Sequence, residues 1–285
     1  IFEKQYIKEI EDKKFDILDI IKDIQPSDRM QFTLSIAISN DGATNLEKYK
    51  TAQAALDIVL GRGGDQAVIH EGDKYKFFGG RTQELEKRTK VKARIVSHAL
   101  EGLILESSKV IIMGHSNSDM DCVGSSMGIY RLAKTLEKDA YIVLNPRGDN
   151  LSAFLNELNQ NEEYNGIVID SNTALGILDD DTLLVVVDTN KKNYVESPEL
   201  LSSAKKIMVV DHHRRSPDYI ENATLTFHEV YASSASELVT ELVEYAQKEV
   251  NLTSLEAEAL YSGIMMDTKT FTFKTGVRTF EAAAY

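Results

Sequence analysis

Residues 207–213 read Ile207-Met208-Val209-Val210-Asp211-His212-His213: four apolar residues, then a carboxylate and two imidazoles. A short apolar run of this kind reads as a buried strand. The C-terminal end of such a strand is where an open α/β sheet gathers its chemistry. Working outward, the same arrangement occurs twice upstream. Val110-Ile111-Ile112-Met113-Gly114 runs into His115-Ser116-Asn117-Ser118-Asp119-Met120-Asp121, and Leu183-Leu184-Val185-Val186-Val187 runs into Asp188. Three of the chain's six histidines therefore fall at predicted strand ends, among carboxylates.

Around these runs the pattern alternates. The predicted strands are 110–113, 141–144, 167–169, 183–187 and 207–210. Between and after them, helical spacing predicts helices over 125–137, 151–159, 199–203, 235–249 and 254–266. Apolar strands alternating with helices indicate βαβ units, so the expected fold class is α/β with a doubly wound, mainly parallel sheet. Residues 1–85 read differently, as a partial α+β unit. It has a helix over Ile7–Ile24, a strand over Phe32–Ile38, a turn at Asn40-Asp41-Gly42, a helix over Asn45–Leu60 and a hairpin of Gln66–His70 with Tyr75–Phe78. A charged helix over 86–106 connects this unit to residues 107–285.

Composition narrows the classes. The chain has 285 residues, 42% hydrophobic and 27% charged, as expected of a globular protein with room for two cores. A net charge of −13 argues against binding long nucleic acids, which relies on basic surface, yet leaves room for a small anionic substrate. No apolar run approaches the roughly 18 residues of a membrane span, so no membrane contact is expected of this stretch. The opening Ile1-Phe2-Glu3-Lys4 is no signal peptide, and the ending Phe280-Glu281-Ala282-Ala283-Ala284-Tyr285 reads as mid-helix, so a piece of a longer protein is expected. The single cysteine, Cys122, suits a reducing cytoplasm and excludes a disulfide framework.

His115, Asp119 and Asp121 share one loop; Asp188 and His212 come from other strand ends; Asp267 follows the apolar helix that ends at Met266. Any one of these aspartates would serve as a helix cap or turn residue. Together, in the order H-x-N-x-D-x-D, strand-D, strand-D-H-H, they form a six-ligand set for two divalent ions. Oxygen and imidazole donors without thiolate suit Mn²⁺, with Mg²⁺ the alternative. Two ions about 3.5–4 Å apart convert a bound water to a hydroxide nucleophile.

These motifs resemble the DHH phosphoesterase domain shared by RecJ-type exonucleases, family II pyrophosphatases and small-nucleotide phosphodiesterases. Leu56–Gln66, Glu86–Thr89, Val209–Arg215 and Ala232–Leu238 are similar to the GdpP/YybT-type cyclic di-AMP phosphodiesterases, in which a degenerate GGDEF domain precedes the DHH domain. The resemblance implies hydrolysis of cyclic di-AMP to pApA. It assigns His115 and Asp119 to one ion and Asp121, His212 and Asp267 to the other, with Asp188 bridging. His213 would face the phosphate, supported by Asp211, and Arg214 and Arg215 would offset substrate charge. It also implies that any GGDEF signature loop precedes Ile1 and that a DHH-associated domain follows Tyr285. The parent would be anchored in the cell membrane, with this piece cytoplasmic and a homodimer allowed. The alternatives left open are another DHH chemistry, acting on pyrophosphate, pAp or oligonucleotides, and a non-catalytic nucleotide-sensing module.

Overall fold

The β-branched runs do form the centre of a sheet. In the computed structural model, residues 5–23, 34–61, 65–72, 74–79, 82–145 and 151–285 are described. Phe32, Thr33, residues 62–64 and Gly80 lie outside them. Two units are present, Ile1–Glu86 and Lys87–Tyr285.

The first unit contains α1 (Gln5–Asp12), α2 (Ile17–Asp23), β1 (Ile36–Ser39), α3 (Asn45–Gly61), β2 (Gln66–Glu71) and β3 (Lys74–Gly79). β1 lies parallel to β2, and β2 forms an antiparallel hairpin with β3. The single helix expected over 7–24 is instead two. Lys14 and Phe15 take left-handed φ values of 51° and 56° between α1 and α2. That reversal carries Phe15 into the core, where it meets Phe78 at a centroid distance of 4.9 Å and packs with Leu18, Ile38, Ala67 and Ile69. The apolar spacing is the same on both sides of the break, which is why periodicity alone misses it.

The division between units falls within α4 (Thr82–Leu105). The second unit then runs β4 (Lys109–Met113), α5 (Met120–Thr135), β5 (Asp139–Val143), α6 (Ser152–Gln160), β6 (Val168–Ile169), α7 (Ser171–Ile177), β7 (Leu183–Val187), α8 (Pro198–Ser203), β8 (Lys206–Asp211), β9 (Leu225–His228), α9 (Ala235–Glu244), α10 (Ser254–Asp267) and α11 (Val277–Ala284). The six strands lie in the order β6-β5-β4-β7-β8-β9, with every pairing parallel. Strand order reverses between β4 and β7, and the loops leaving these neighbouring strands diverge there, opening a crevice at their C-terminal ends. Alternate strand residues face opposite cores. Val110 and Ile112 pack with α4, α5, α9 and α10, while Ile111 and Met113 pack on the other face with Ala174 of α7 and Leu200 of α8.

Helix limits depart from the periodic pattern most at the start of α5 and the end of α9. α5 begins at Met120 rather than Ser125, because Asp119 caps it. α9 stops at Glu244 rather than Glu249, where the Gln247 and Lys248 amides donate to buried Glu101 Oε1 at 2.9 and 3.4 Å. No described helix is long and apolar enough to cross a membrane.

Glycines let α5, α9 and α10 approach closely. A Cβ on Gly124 would lie 2.3 Å from the Ala259 carbonyl oxygen, and one on Gly263 would lie 2.2 Å from Ser236 Oγ and 2.9 Å from Asp121 Cα. Gly102 in α4 has nothing within 4 Å of its added Cβ. Gly124→Ala is therefore expected to destabilise the chain by about 1–3 kcal/mol through overpacking against backbone. Gly102→Ala should be neutral or stabilise by up to about 1 kcal/mol through helix propensity. Urea unfolding of the two variants beside the parent chain measures both, and equal behaviour would contradict the packing assigned to Gly124.

Candidate metal centre

Each carboxylate at the β4–β7 crevice is placed by a local structural duty and then offers what remains to the crevice. Asp119 caps α5, its Oδ1 accepting from the amides of Asp121 and Cys122 at 3.0 and 3.1 Å. Its Oδ2 lies 3.9 Å from His115 Nε2. Asp121, fully buried in the first turn of α5, accepts from Ala235 N at 2.7 Å and Ser236 N at 2.8 Å, both at the start of α9. Ser234 caps that helix, its side chain accepting from Glu237 N. Asp188 stands just past β7 with a left-handed φ of 58°, while its N–H still reaches Val210 O at 2.9 Å. Aspartate is among the few residues that tolerate this conformation. Asp267 is the last residue of α10, one turn beyond Gly263, whose close packing brings that helix end to the crevice.

Asp188 is the meeting point. Its Oδ2 lies 3.3 Å from His115 Nε2, and its Oδ1 lies 3.3 Å from His212 Nε2 and 3.5 Å from His213 Nδ1. His212 Nε2 is also 3.1 Å from Asp267 Oδ2 and 3.7 Å from Asp121 Oδ2. Three groups able to hold an ion result among the described residues, His115–Asp119–Asp188, Asp121–His212–Asp267 and Asp188–His212–His213; the two oxygens of Asp188 are directed one to His115 and one to His212. All six residues expected as ligands are thus brought together.

The electrostatics show a site short of positive charge. Burial, reinforced by Asp188, raises the pKa of Asp119 and lifts Asp121 well above the usual carboxylate range. Burial acts in the same sense on Asp188, but the adjacent His115 and His212 imidazoles outweigh it and hold that carboxyl down at about 2. Burial opposes charge on His212, yet Asp188, Asp267 and Asp121 push it up to about 11. Cys122 is buried, and its thiol is pushed far up, which makes it a poor nucleophile.

His213 lies beside this centre, half-exposed, with Nδ1 at 2.9 Å from Asp211 Oδ1. Arg214 and Arg215 follow on the surface, and the Arg215 guanidinium sits 4.6 Å over the Tyr219 ring. Three residues missed in the sequence complete the surroundings. The ring of Tyr194 stacks on His115 at 5.2 Å and 5°. Asn190 donates from Nδ2 to Asp211 Oδ2, and His228 Nε2 meets the His213 carbonyl. Asn190 and Tyr194 carry no sequence signal. His228 does, as an imidazole ending a strand opposite Asp211, but β9 itself went unpredicted because only Phe227 in it is fully buried.

The profile "DHH family, N-terminal domain" matches residues 109–264. The chain belongs to the DHH family. A second profile, "Cyclic-di-AMP phosphodiesterase GdpP-like, GGDEF domain", matches residues 1–77. The chain is 42% identical over 288 residues to the cyclic-di-AMP phosphodiesterase GdpP of Bacillus subtilis, covering 100% of this chain and 44% of that protein. It is 43% identical over 288 residues to the cyclic-di-AMP phosphodiesterase PdeA of Listeria monocytogenes, covering 99% and 43%. The chain therefore spans less than half the length of these curated relatives. Among solved structures, an exopolyphosphatase-related protein from Bacteroides fragilis shares the fold, with a TM-score of 0.55, 19% identity and coverage of 67% of this chain and 55% of that one.

The donor set of this DHH centre suits divalent metal ions. Among the described residues, buried His212 Nε2 and Asp188 Oδ1 have no hydrogen bond of acceptable geometry although each lies close to the other and to further ligand atoms. Atoms in that state are what a shared cation would satisfy. Binding must then displace the proton that His212 carries near neutral pH in the metal-free chain. Titrating the chain with Mn²⁺ at pH 7.5 in buffers of different ionisation enthalpy should show release of about one proton or more per chain. The sign also fixes stability: the charged His212 helps the metal-free fold fully below about pH 6.5, and that help is lost as pH rises through about 11. Buffer-independent heats would contradict the proton displacement.

Proposed function

We propose that the chain is part of a metal-dependent phosphodiesterase whose whole protein hydrolyses cyclic di-AMP to linear pApA. The observation that carries this reading is the position of Asp188, its two carboxylate oxygens shared between two separate histidine–carboxylate groups. The names of the relatives in Bacillus and Listeria support the substrate. In this reading residues 1–85 are a partial, degenerate GGDEF-like domain, 86–106 a connecting helix and 107–285 the DHH domain. The chain would lie on the cytoplasmic side of a membrane-anchored parent.

His115, Asp119, Asp121, Asp188, His212 and Asp267 would hold two divalent ions, Mn²⁺ in preference to Mg²⁺. When bound, such ions supply a Lewis acid for phosphoryl oxygens and a deprotonated water at neutral pH. The chain's own residues orient the rest. His213 presents Nε2 outward because Nδ1 is occupied by Asp211, so Nε2 is the atom that meets the phosphate. That edge of the ring then faces the phosphoryl oxygens on which charge develops. Arg214 and Arg215, exposed beside it, make the local potential more positive and draw in an anionic dinucleotide. Closure of α5, α9 and α10 on the rear of the site excludes water from Asp121 and His212.

The test is turnover by the full-length parent with saturating Mn²⁺ on cyclic di-AMP, pApA and pyrophosphate, with Asp188→Asn as the variant. Asparagine tolerates the left-handed backbone that alanine resists, so the charge is removed without refolding the turn. Cyclic di-AMP is expected to be the preferred substrate, and Asp188→Asn to lower its turnover by about 10²-fold or more. Preference for pyrophosphate would overturn the substrate, and a variant keeping more than about a tenth of parental turnover would overturn the shared-carboxylate role.

A further inference from the structure

Behind His213 lies a hydrogen-bonded group that the metal ligands do not use. The turn that follows Asp188 brings Asn190, buried to 5% exposure, against the underside of the 211–216 loop. Its Nδ2 donates to Asp211 Oδ2 and, at 3.3 Å, to the Arg214 carbonyl. Its Oδ1 accepts from Ser216 N at 3.1 Å, and its own carbonyl accepts from Ile220 N at 2.8 Å. One amide side chain therefore fixes the carboxylate that holds His213 and the two backbone positions on either side of Arg215.

We infer that Asn190 is a positioning residue for His213, acting through Asp211; this rests on His213 being the residue that meets the phosphate. With Oδ2 of Asp211 committed to Asn190, Oδ1 is left for His213 and accepts from both its backbone N–H at 3.3 Å and its Nδ1 at 2.9 Å. A ring nitrogen facing a carboxylate oxygen carries the hydrogen, so the neutral ring is held as the Nδ1–H tautomer with Nε2 free. The ring plane is fixed by the same contact. His228 Nε2, meeting the His213 carbonyl and lying 3.8 Å from Asp211 Oδ2, closes the opposite side. Asp211 is fully buried, so without Asn190 its Oδ2 has no solvent to turn to. The carboxylate would rotate toward whatever donor remains, and His213 would lose its reference. Asn190 and Asp188 stand on one turn, which couples the ring's placement to that of the shared carboxylate.

The experiment uses the full-length protein with Mn²⁺ and cyclic di-AMP, and the variants Asn190→Ala, Asn190→Asp, His213→Ala and Asn190→Ala with His213→Ala. Asn190→Ala is expected to lower kcat by roughly 10–10²-fold with KM and Mn²⁺ affinity nearly unchanged, as for a misplaced but present group. In the His213→Ala background the same substitution should cost less than about twofold, because the group it positions is gone. Asn190→Asp, isosteric but unable to donate to Asp211, should resemble Asn190→Ala, and it carries the test should alanine impair folding. In Mg²⁺-loaded protein, imidazole ¹⁵N spectra should show one His213 tautomer in the parent and a mixture in either Asn190 variant. Additive losses in the double variant, or an unchanged tautomer, would overturn the inference. If the parent hydrolyses none of the substrates, the functional reading fails, while the tautomer spectra still decide what Asn190 does.

Discussion

One carboxylate, Asp188, lies within 3.5 Å of three imidazoles, and the fold around the crevice can be understood as the means of keeping it there. Like charges clustered in a buried site repel strongly, and each must find compensation or stay protonated. Asp119 and Asp121 find part of theirs in backbone amides at the starts of α5 and α9. Asp211 finds it in Asn190 and His213. Asp188 finds it in three histidines, and its left-handed residue stands where strand order reverses between β4 and β7. A parallel sheet with helices on both faces then supplies a dry, rigid backing for the arrangement.

The second determinant is how close the helices behind the site can come. Gly124 and Gly263 remove the side chains that would hold α5 and α10 apart. Arg131 then locks the pair, its Nε meeting both oxygens of fully buried Glu256 at 2.8 and 2.7 Å. Glu256 also completes the capping box that starts α10. The register of that helix, and with it the position of Asp267 eleven residues later, is thus set at its far end. A carboxylate that looks local to the site depends on an ion pair three turns away.

The strand-terminal pattern was legible in sequence because it follows from period and chemistry together: a buried run, then groups that no buried run would carry without a purpose. That logic found β4, β7 and β8 and the residues at their ends. It failed where burial was incomplete. β9 buries Phe227 fully but leaves Thr226 exposed, so it offered too little apolar signal, and His228 went with it. It also failed for Asn190 and Tyr194, which act through hydrogen bonding and stacking rather than charge. Their roles depend on which loops face each other, and that is a property of the strand order. The break at Lys14 and Phe15 was hidden for a related reason: two short helices with one apolar face have the same spacing as a single long one.

The bond between Asp121 and the first amides of α9 bears on the order in which the protein is assembled. In small metal-dependent domains the ion is the core, and the chain stays unfolded until it arrives. Here Asp121 of α5 is already engaged as the cap of a different helix, by two backbone donors at 2.7 and 2.8 Å. The partial positive charge at the start of α9 supplies, without any ion, some of the attraction that a cation would provide. The placement of Asp121 thus rests on the polypeptide's own bonds, and an arriving cation would meet a carboxylate already aimed at the crevice.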